Sequence, residues 1–189
     1  MRESKRLRIF ERFLPALDLK RRQLLAERAK ATKQIAETER AIERLEQNAA
    51  EELPMLANHS ALFGLVRVTG VDRTEENVLG TPLPKLLQVH VAVRDYPLFG
   101  TPHWLDRLVE YLRTVLELHL HAQVQRERLV RLEQAVRKIT QRVSLFEKVL
   151  IPRTRANIKR ITIYLADAER AAVVRAKLAR AIALREAGG

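Results

Sequence analysis

The chain contains no cysteine, which excludes a disulfide framework and a thiolate metal site. It has no apolar run approaching the ~18 residues that suggest a membrane-spanning helix. Its N-terminus lacks the apolar core and small-residue cleavage site of a secretory signal. Arg2, Lys5, Arg6 and Arg8 resemble the start of an organellar transit peptide, but Glu3, Glu11 and the immediate onset of a heptad pattern argue against one. These absences predict a soluble, cytoplasmic protein with no direct membrane insertion. Aromatic residues are only 5% of 189 positions and charged residues 31%, a balance that suits a solvated coiled coil with a thin core. Glycine and proline are also scarce and unevenly placed. Five of the seven prolines (Pro54, Pro82, Pro84, Pro97, Pro102) and four of the six glycines (Gly64, Gly70, Gly80, Gly100) fall within residues 54–103.

Catalytic patterns are missing as well. No Gly-rich loop ending in Lys-Ser/Thr is present to cradle a phosphate, and no HExxH occurs. His119 and His121 stand two apart, about 200° around a helix, so they cannot share a metal from one face. His59, His90 and His103 are scattered. Glu37, Glu39, Glu43 and Glu46 interleave with Lys33, Arg40 and Arg44, which makes a solvated face of i,i+4 pairs and no carboxylate dyad. The expectation is a non-enzyme with no catalytic residue, no cofactor and no metal.

What the chain does have is two heptad ladders. The first reads Phe10, Leu14, Leu17, Arg21, Leu24, Arg28, Ala31, Ile35, Thr38, Ile42, Leu45, Ala49. The second reads Trp104, Leu108, Tyr111, Val115, Leu118, Ala122, Gln125, Leu129, Leu132, Val136, Ile139, Val143, Phe146, Leu150, with Gln125 its one clearly polar rung. Steps alternating four and three place all rungs on one seam, which buries itself against another helix. The predicted fold is mainly α: a long antiparallel two-helix coiled coil with a small β-hairpin-containing insert at the turn. The parts are an N-terminal coiled-coil helix over 1–53, the insert over 54–103 and a C-terminal coiled-coil helix over 104–189. Residues 10–50 should face residues 104–150, bringing Leu45 near Tyr111.

Helix 1 is expected from about Ser4, a plausible N-cap, to Glu52, with Pro54 ending it. Pro15 conflicts locally with a continuous helix, and Arg21 and Arg28 weaken the seam. In the insert, Phe63–Val71 and Leu87–Val93 alternate as strands. Thr101 and Pro102 suit the start of helix 2, which runs to about Glu186. After Leu150 the seam changes phase to Ile158, Ile161, Leu165, Ala168, Ala172, Ala179 and Ile182, with Pro152 at the change, so a local bend or unwinding is expected. Helix 2 is longer than helix 1, so part of it must overhang or meet a partner.

The net charge of +12 is concentrated. Residues 1–30 carry ten Lys/Arg against four Asp/Glu, and residues 137–189 thirteen against four, whereas 31–136 carry twelve against fifteen. Antiparallel pairing would gather the two basic ends into one tip, which implies an acidic partner, nucleic acid or anionic lipid.

One stretch resembles a known family. The run Gln141-Arg142-Val143-Ser144-Leu145-Phe146-Glu147-Lys148-Val149-Leu150-Ile151-Pro152-Arg153, followed by Asn157-Ile158-Lys159 and Glu169-Arg170, is similar to the C-terminal helix of the D subunit of V-type and A-type rotary ATPases. Asn77-Val78-Leu79-Gly80-Thr81-Pro82-Leu83-Pro84-Lys85 is similar to that family's central insert, with Asn77 and Gly80 the matched positions. Leu17, Lys20, Arg21 and Leu24 match in helix 1. The chain departs from the family at Phe13, where a glycine is usual, and at Arg22, where an acid is usual.

The resemblance implies a central-stalk rotor subunit that carries torque between a catalytic head of A and B subunits and a membrane ring. The implied partners are A and B, the small F stalk subunit and a C/d-type funnel subunit. The implied place is peripheral to the membrane within the complex, with no nucleic acid bound. Lys20, Arg21, Arg142, Glu147, Pro152, Arg153, Ile158 and Lys159 are its implied contacts with the head. The coiled-coil seam would be Leu17, Leu24, Ile35, Ile42, Leu45, Leu108, Val115, Leu129, Leu132, Val136, Ile139, Val143, Phe146 and Leu150. A basic coiled coil that binds nucleic acid or builds a scaffold is the alternative; no aromatic stacking surface or reading motif accompanies the charge.

Overall fold

The computed structural model describes residues 2–53, 64–95 and 104–186, with side chains to residue 183. The order is α1 (Arg2–Glu52), β1 (Val66–Val78), β2 (Thr81–Val93), α2 (Trp104–Leu145), a π turn (Phe146–Leu150) and α3 (Ile151–Glu186). The fold is mainly helical, with a small antiparallel hairpin between two long helical arms. The proline stop at Pro54, the strand start at Phe63 and the Thr101–Pro102 helix start lie outside the described residues. Ser4 is not an N-cap, because α1 is already helical from Arg2. Pro15 does not interrupt α1; its ring removes one backbone donor, and the residue is exposed, where water can satisfy the carbonyl it leaves.

The chain divides into two compact units, Lys20–Lys138 and a second formed by Met1–Leu19 with Ile139–Gly189. In the first, α1 and α2 run antiparallel. Glu39 pairs with Arg126 at 2.6 Å, Glu46 with His119 at 3.7 Å and Glu52 with Arg107 at 3.5 Å, so partner numbers fall as α1 advances. Leu45 and Tyr111 line one groove. The seam between the helices is dry where Leu24, Ala31, Ile35 and Ile42 meet Leu108, Ala122, Leu132 and Val136, all buried. Burying a leucine contributes roughly 1.5–3 kcal/mol, so Leu24 and Leu132, at 1% and 0% exposed, are principal anchors. Arg28, on a seam position, is exposed, its long chain carrying the charge out to water. Leu53, Leu105 and Leu108 form a local core against Leu65, Trp104, Tyr111 and Leu112.

The hairpin is longer than the alternation suggests. β1 pairs with β2 from Val66↔Val93 to Val78↔Thr81, with bulges between Val68 and Gly70 and between Asp72 and Arg73. Alternation marks strands only to Val71 and from Leu87, whereas the ladder runs on through polar Asp72–Asn77 and through Pro82 and Pro84. In a two-stranded ribbon each strand is an edge, so a proline can point its missing donor away from the ladder. The turn is Leu79–Gly80, with φ of 53° and 75°. Two positive φ values in a two-residue loop match the twist of the flanking strands. Gly80 adopts this without strain, while Leu79 does so at roughly 1–2 kcal/mol.

In the second unit Phe10 meets Phe146 edge-on at 5.4 Å between ring centroids, and Arg155 pairs with Glu11 at 2.7 Å. Ile139, Val143 and Ile151 are buried, with Thr154 donating its hydroxyl to the Leu150 carbonyl. The π turn accounts for the change of phase near Pro152. Ile151 N–H reaches back five residues to the Phe146 carbonyl. A turn widened in this way takes up one extra residue. The next buried positions are therefore Ile151 and Thr154, followed by half-buried Ile158, each one residue beyond the heptad extrapolation. Beyond Ile158 the stripe continues in phase but exposed: Ile161 is 47% accessible, Leu165 52% and Ile182 57%.

Candidate functional site

Each of the expected contact residues falls on one of the two units. Lys20 is half-buried on α1, and its Nζ lies 3.5 Å from where a Cβ on Gly80 would stand, so the hairpin turn sits against α1. The matched positions of helix 1 and of the insert are thereby brought together. Arg21 is half-buried and Asn77 exposed. Arg142, Glu147, Pro152, Arg153 and Lys159 are exposed on the helices of the second unit, with Ile158 half-buried beside them. Among the described residues Arg142, Arg153 and Lys159 form no ion pair, whereas Arg155 is held by Glu11. Leu17, Leu45, Val115, Leu129, Phe146 and Leu150 are half-buried on the seam.

Sequence reasoning missed a second constellation. Arg128 and Arg131, one turn apart on α2, reach the hairpin. Arg128 Nη1 donates to Glu76 Oε2 at 2.9 Å, and Arg131 Nη1 to Glu75 Oε1 at 2.9 Å. Arg131 also donates to the Pro82 carbonyl at 3.3 Å and, through Nη2, to Glu127 Oε1 at 2.9 Å. Arg73 Nη1 on β1 stands 3.7 Å from Glu127 Oε2. The Arg128 hydrogen bond holds the Glu76 carboxyl below its ordinary range, with smaller help from Lys85 and Lys30. Beside these pairs Leu83 is 0% exposed, and Pro84 is also buried. The sequence signal was present in two acids, Glu75-Glu76, opposite an i,i+3 arginine pair, but nothing in the spacing joins two segments some fifty residues apart.

The chemistry of reaction centres does not gather anywhere in the described residues. No three His, Asp or Glu side chains could hold a metal there. His90 Nε2 lies 2.9 Å from Asp72 Oδ2 across the strands, and His119 faces Glu46. An open groove of about 560 Å³ between α1, α2 and β2 mixes Glu27, Glu37 and Glu76 with Lys30, Lys85 and Arg128, with no single-signed cradle. At the far end of the same helical pair, the hydrogen bond that the Tyr111 hydroxyl donates to the Glu52 carboxylate is the main cause raising the phenol pKa. Among the described residues no helix is long and apolar enough to cross a membrane.

Comparison with known proteins agrees with this geometry. The family model for the ATP synthase D subunit matches residues 1–181. The D subunit of the V-type ATP synthase from Borreliella burgdorferi is 31% identical over 179 residues, covering 95% of this chain and 89% of that protein. The protein of the same name from Chlamydia pneumoniae is 33% identical over 192 residues, covering 99% and 91%. That from Chlamydia muridarum is 33% identical over 181 residues, covering 94% and 89%. With a match over nearly its whole length and a helix–hairpin–helix order in the described residues, the chain belongs to the ATP synthase D subunit family.

Proposed function

We propose that this chain is the non-catalytic central rotor shaft of a V-type ATP synthase, passing torque between an A/B catalytic head and the ion-translocating membrane ring. Family membership over residues 1–181 is the observation that carries the reading. The helical seam supports it, because a torque-bearing element needs two helices that do not slip past one another. Buried Leu24, Ile35, Ile42 and Leu132 resist separation, and the Glu39–Arg126 and Glu46–His119 pairs oppose sliding. The exposed bases Arg142, Arg153 and Lys159 are the proposed contacts with the head, with Lys20 and Arg21 on α1. The F subunit and the funnel subunit above the ring are its other proposed partners. The complex would place the chain at the membrane without inserting it.

The absence of cysteine makes the test direct. A single Gln88→Cys on the exposed face of β2 carries a bead, and the labelled chain is assembled with purified A and B subunits. ATP-driven rotation of the bead is the expected result. A catalytic A/B assembly that turns over ATP yet neither retains this chain nor rotates the bead would overturn the reading.

A further inference from the structure

The two edges of the hairpin are not equally guarded. Each strand of a two-stranded ribbon turns half of its N–H and C=O groups outward, where another strand can pair with them. β1 is protected by charge, since Arg67, Asp72, Arg73, Glu75 and Glu76 lie along it. β2 is protected only in its first half. Pro82 and Pro84 stand opposite Asn77 and Glu75, at alternate positions counted from the turn whose backbone groups face outward, and neither has a donor to offer. The Pro82 carbonyl is taken by Arg131. From Leu86 to Val93 there is no proline, lysine, arginine or acid. Two contacts set the phase of this second half. The Arg94 N–H donates to the Leu65 carbonyl at 2.8 Å, and the His90 carbonyl accepts from the Thr69 hydroxyl on β1 at 3.1 Å. Both groups therefore face β1. Strand residues alternate, so Val89, Val91 and Val93 turn their N–H and C=O the other way, onto the free edge. Leu87 marks the change of phase: Gln88 pairs with Asp72 and Leu86 with Arg73, which leaves Leu87 the extra residue of a bulge. Leu87 is 63% exposed and Val93 40%. An open groove of about 590 Å³ lies beside this stretch, lined by Leu86, Leu87 and Val89 with Leu118 and His121 of α2. The ribbon is seated at both ends, by Leu65 on the Leu53–Leu105–Leu108 core and by buried Leu83, so the edge is held ready for a partner.

We propose that the Val89–Val93 half of β2 is a docking edge for an extended segment of a partner protein, which joins the hairpin as a third strand. The outward N–H and C=O groups of Val89, Val91 and Val93 bind its main chain, and alternate apolar side chains of the segment enter the groove beside Leu87. The prolines fix where the added strand stops, because nothing on the edge from Pro84 to the turn can donate to it. The edge also selects the charge of its occupant. Lys85 and Arg94, both exposed, flank an uncharged stretch, so the matching segment is apolar across the valines and acidic at its ends. This inference rests on the hairpin alone and stands apart from the rotor reading.

The experiment follows hydrogen exchange residue by residue in the full chain, with and without the synthetic peptide Asp-Thr-Val-Thr-Val-Thr-Val-Asp as probe. In the free chain the Val89, Val91 and Val93 amides should exchange fast and the His90, Ala92 and Arg94 amides slowly. The peptide should slow the three valine amides. Val91→Pro removes one outward donor and, like Pro82 and Pro84, should leave the ladder intact, with His90 and Ala92 still protected. It should weaken the peptide at least about tenfold by fluorescence anisotropy. A probe N-methylated at alternate residues should lose at least as much on the wild-type chain, which keeps the test independent of how the proline variant folds. Arg94→Gln should weaken the peptide at low salt and not at high salt. Valine amides that are already slow in the free chain, or that stay fast at millimolar peptide, overturn the proposal. Equal binding of the N-methylated probe overturns it as well. Sedimentation as a dimer in which the same three amides are slowed would make a second copy of this chain the occupant, and would overturn the assignment to a partner protein.

Discussion

Thr38 Oγ1 and Gln125 Oε1 lie 3.1 Å apart, so the polar rung of the α2 ladder meets a polar rung of α1. The Thr38 hydroxyl is also 2.9 Å from the Gln34 carbonyl. A hydroxyl has one proton; given to Gln34, it leaves the oxygen free to accept from the Gln125 amide N–H, and both groups are satisfied with the amide turned. One polar pair in an apolar seam costs stability and specifies register. Gln125→Leu should therefore stabilise the helical pair by about 1 kcal/mol while loosening its alignment. Cysteines at Glu46 and His119 should cross-link in both backgrounds. Cysteines at Glu39 and His119, one heptad out of step, should cross-link only in the leucine variant. Absence of that slipped product would show that the ion pairs alone set the register.

Leu132→Ala removes a fully buried side chain and should cost about 2–5 kcal/mol. Val130, two residues away and 52% exposed, should tolerate alanine within about 0.5 kcal/mol. Denaturant melts of the two variants beside wild type check this, and comparable losses would mean that the seam is not where the helices are held.

Deleting Val149 removes one residue from the π turn. An ordinary α-turn then carries the seam from Val143 and Phe146 to Ile151 and Thr154 without rotating either stretch. Helicity and melting temperature should be unchanged. One alanine inserted between Gln123 and Val124 rotates every later rung by about 100° and should abolish cooperative melting. A deletion as damaging as the insertion would show that the wide turn has a role beyond its spacing.

Glu76 is held below its ordinary pKa of 4.5 by the Arg128 hydrogen bond. A depressed carboxylate contributes its stabilisation above the unfolded value and loses it as pH falls through the folded one. Hydrogen exchange at the Glu75–Leu83 amides should therefore be protected equally from neutral pH down to about 4.5, then less protected at more acid pH. Glu76→Gln should remove part of that acid step. Protection that declines already through neutral pH would show that the Glu76 carboxylate is not what holds this stretch.

Reversing Arg142, Arg153 and Lys159 to glutamate together should leave far-UV helicity intact, since all three are exposed and unpaired among the described residues. Arg155 is left out because Glu11 holds it. Assembly with an A/B head should weaken, most at low salt, where exposed charges are least screened. Equal assembly across salt would mean that shape alone seats the chain.

The helical part of the fold was legible because a seam repeating every 3.5 residues has one physical solution. Leu24, Leu108, Leu132 and Val143 needed only spacing to be placed on it. The hairpin was half legible. Val89 and Val91 alternate visibly, but Glu75 and Glu76 gain meaning only from arginines some fifty residues away, a pairing made in three dimensions. Pro82 and Pro84 lie within β2, where an edge strand can turn a proline's missing donor away from the ladder. The phase change was visible from Ile158 and Ile161, but its cause was not, since an extra residue in a helix can be absorbed as a bend, a stutter or a widened turn.

The stripe that is dry at Ile151 keeps its phase but is exposed from Ile161 onward among the described residues, so it offers a ready template for a further helix. It invites engineering. Two or three designed turns fused ahead of Arg2, with leucines in phase with Phe10 and Leu14, would find Leu165, Ala168 and Ala172 already aligned as the opposite half of a zipper. The alanines allow close approach of a second backbone, and the flanking bases would set acidic residues as the matching choice for the new turns. Such a graft would lengthen the paired stretch without altering any native residue.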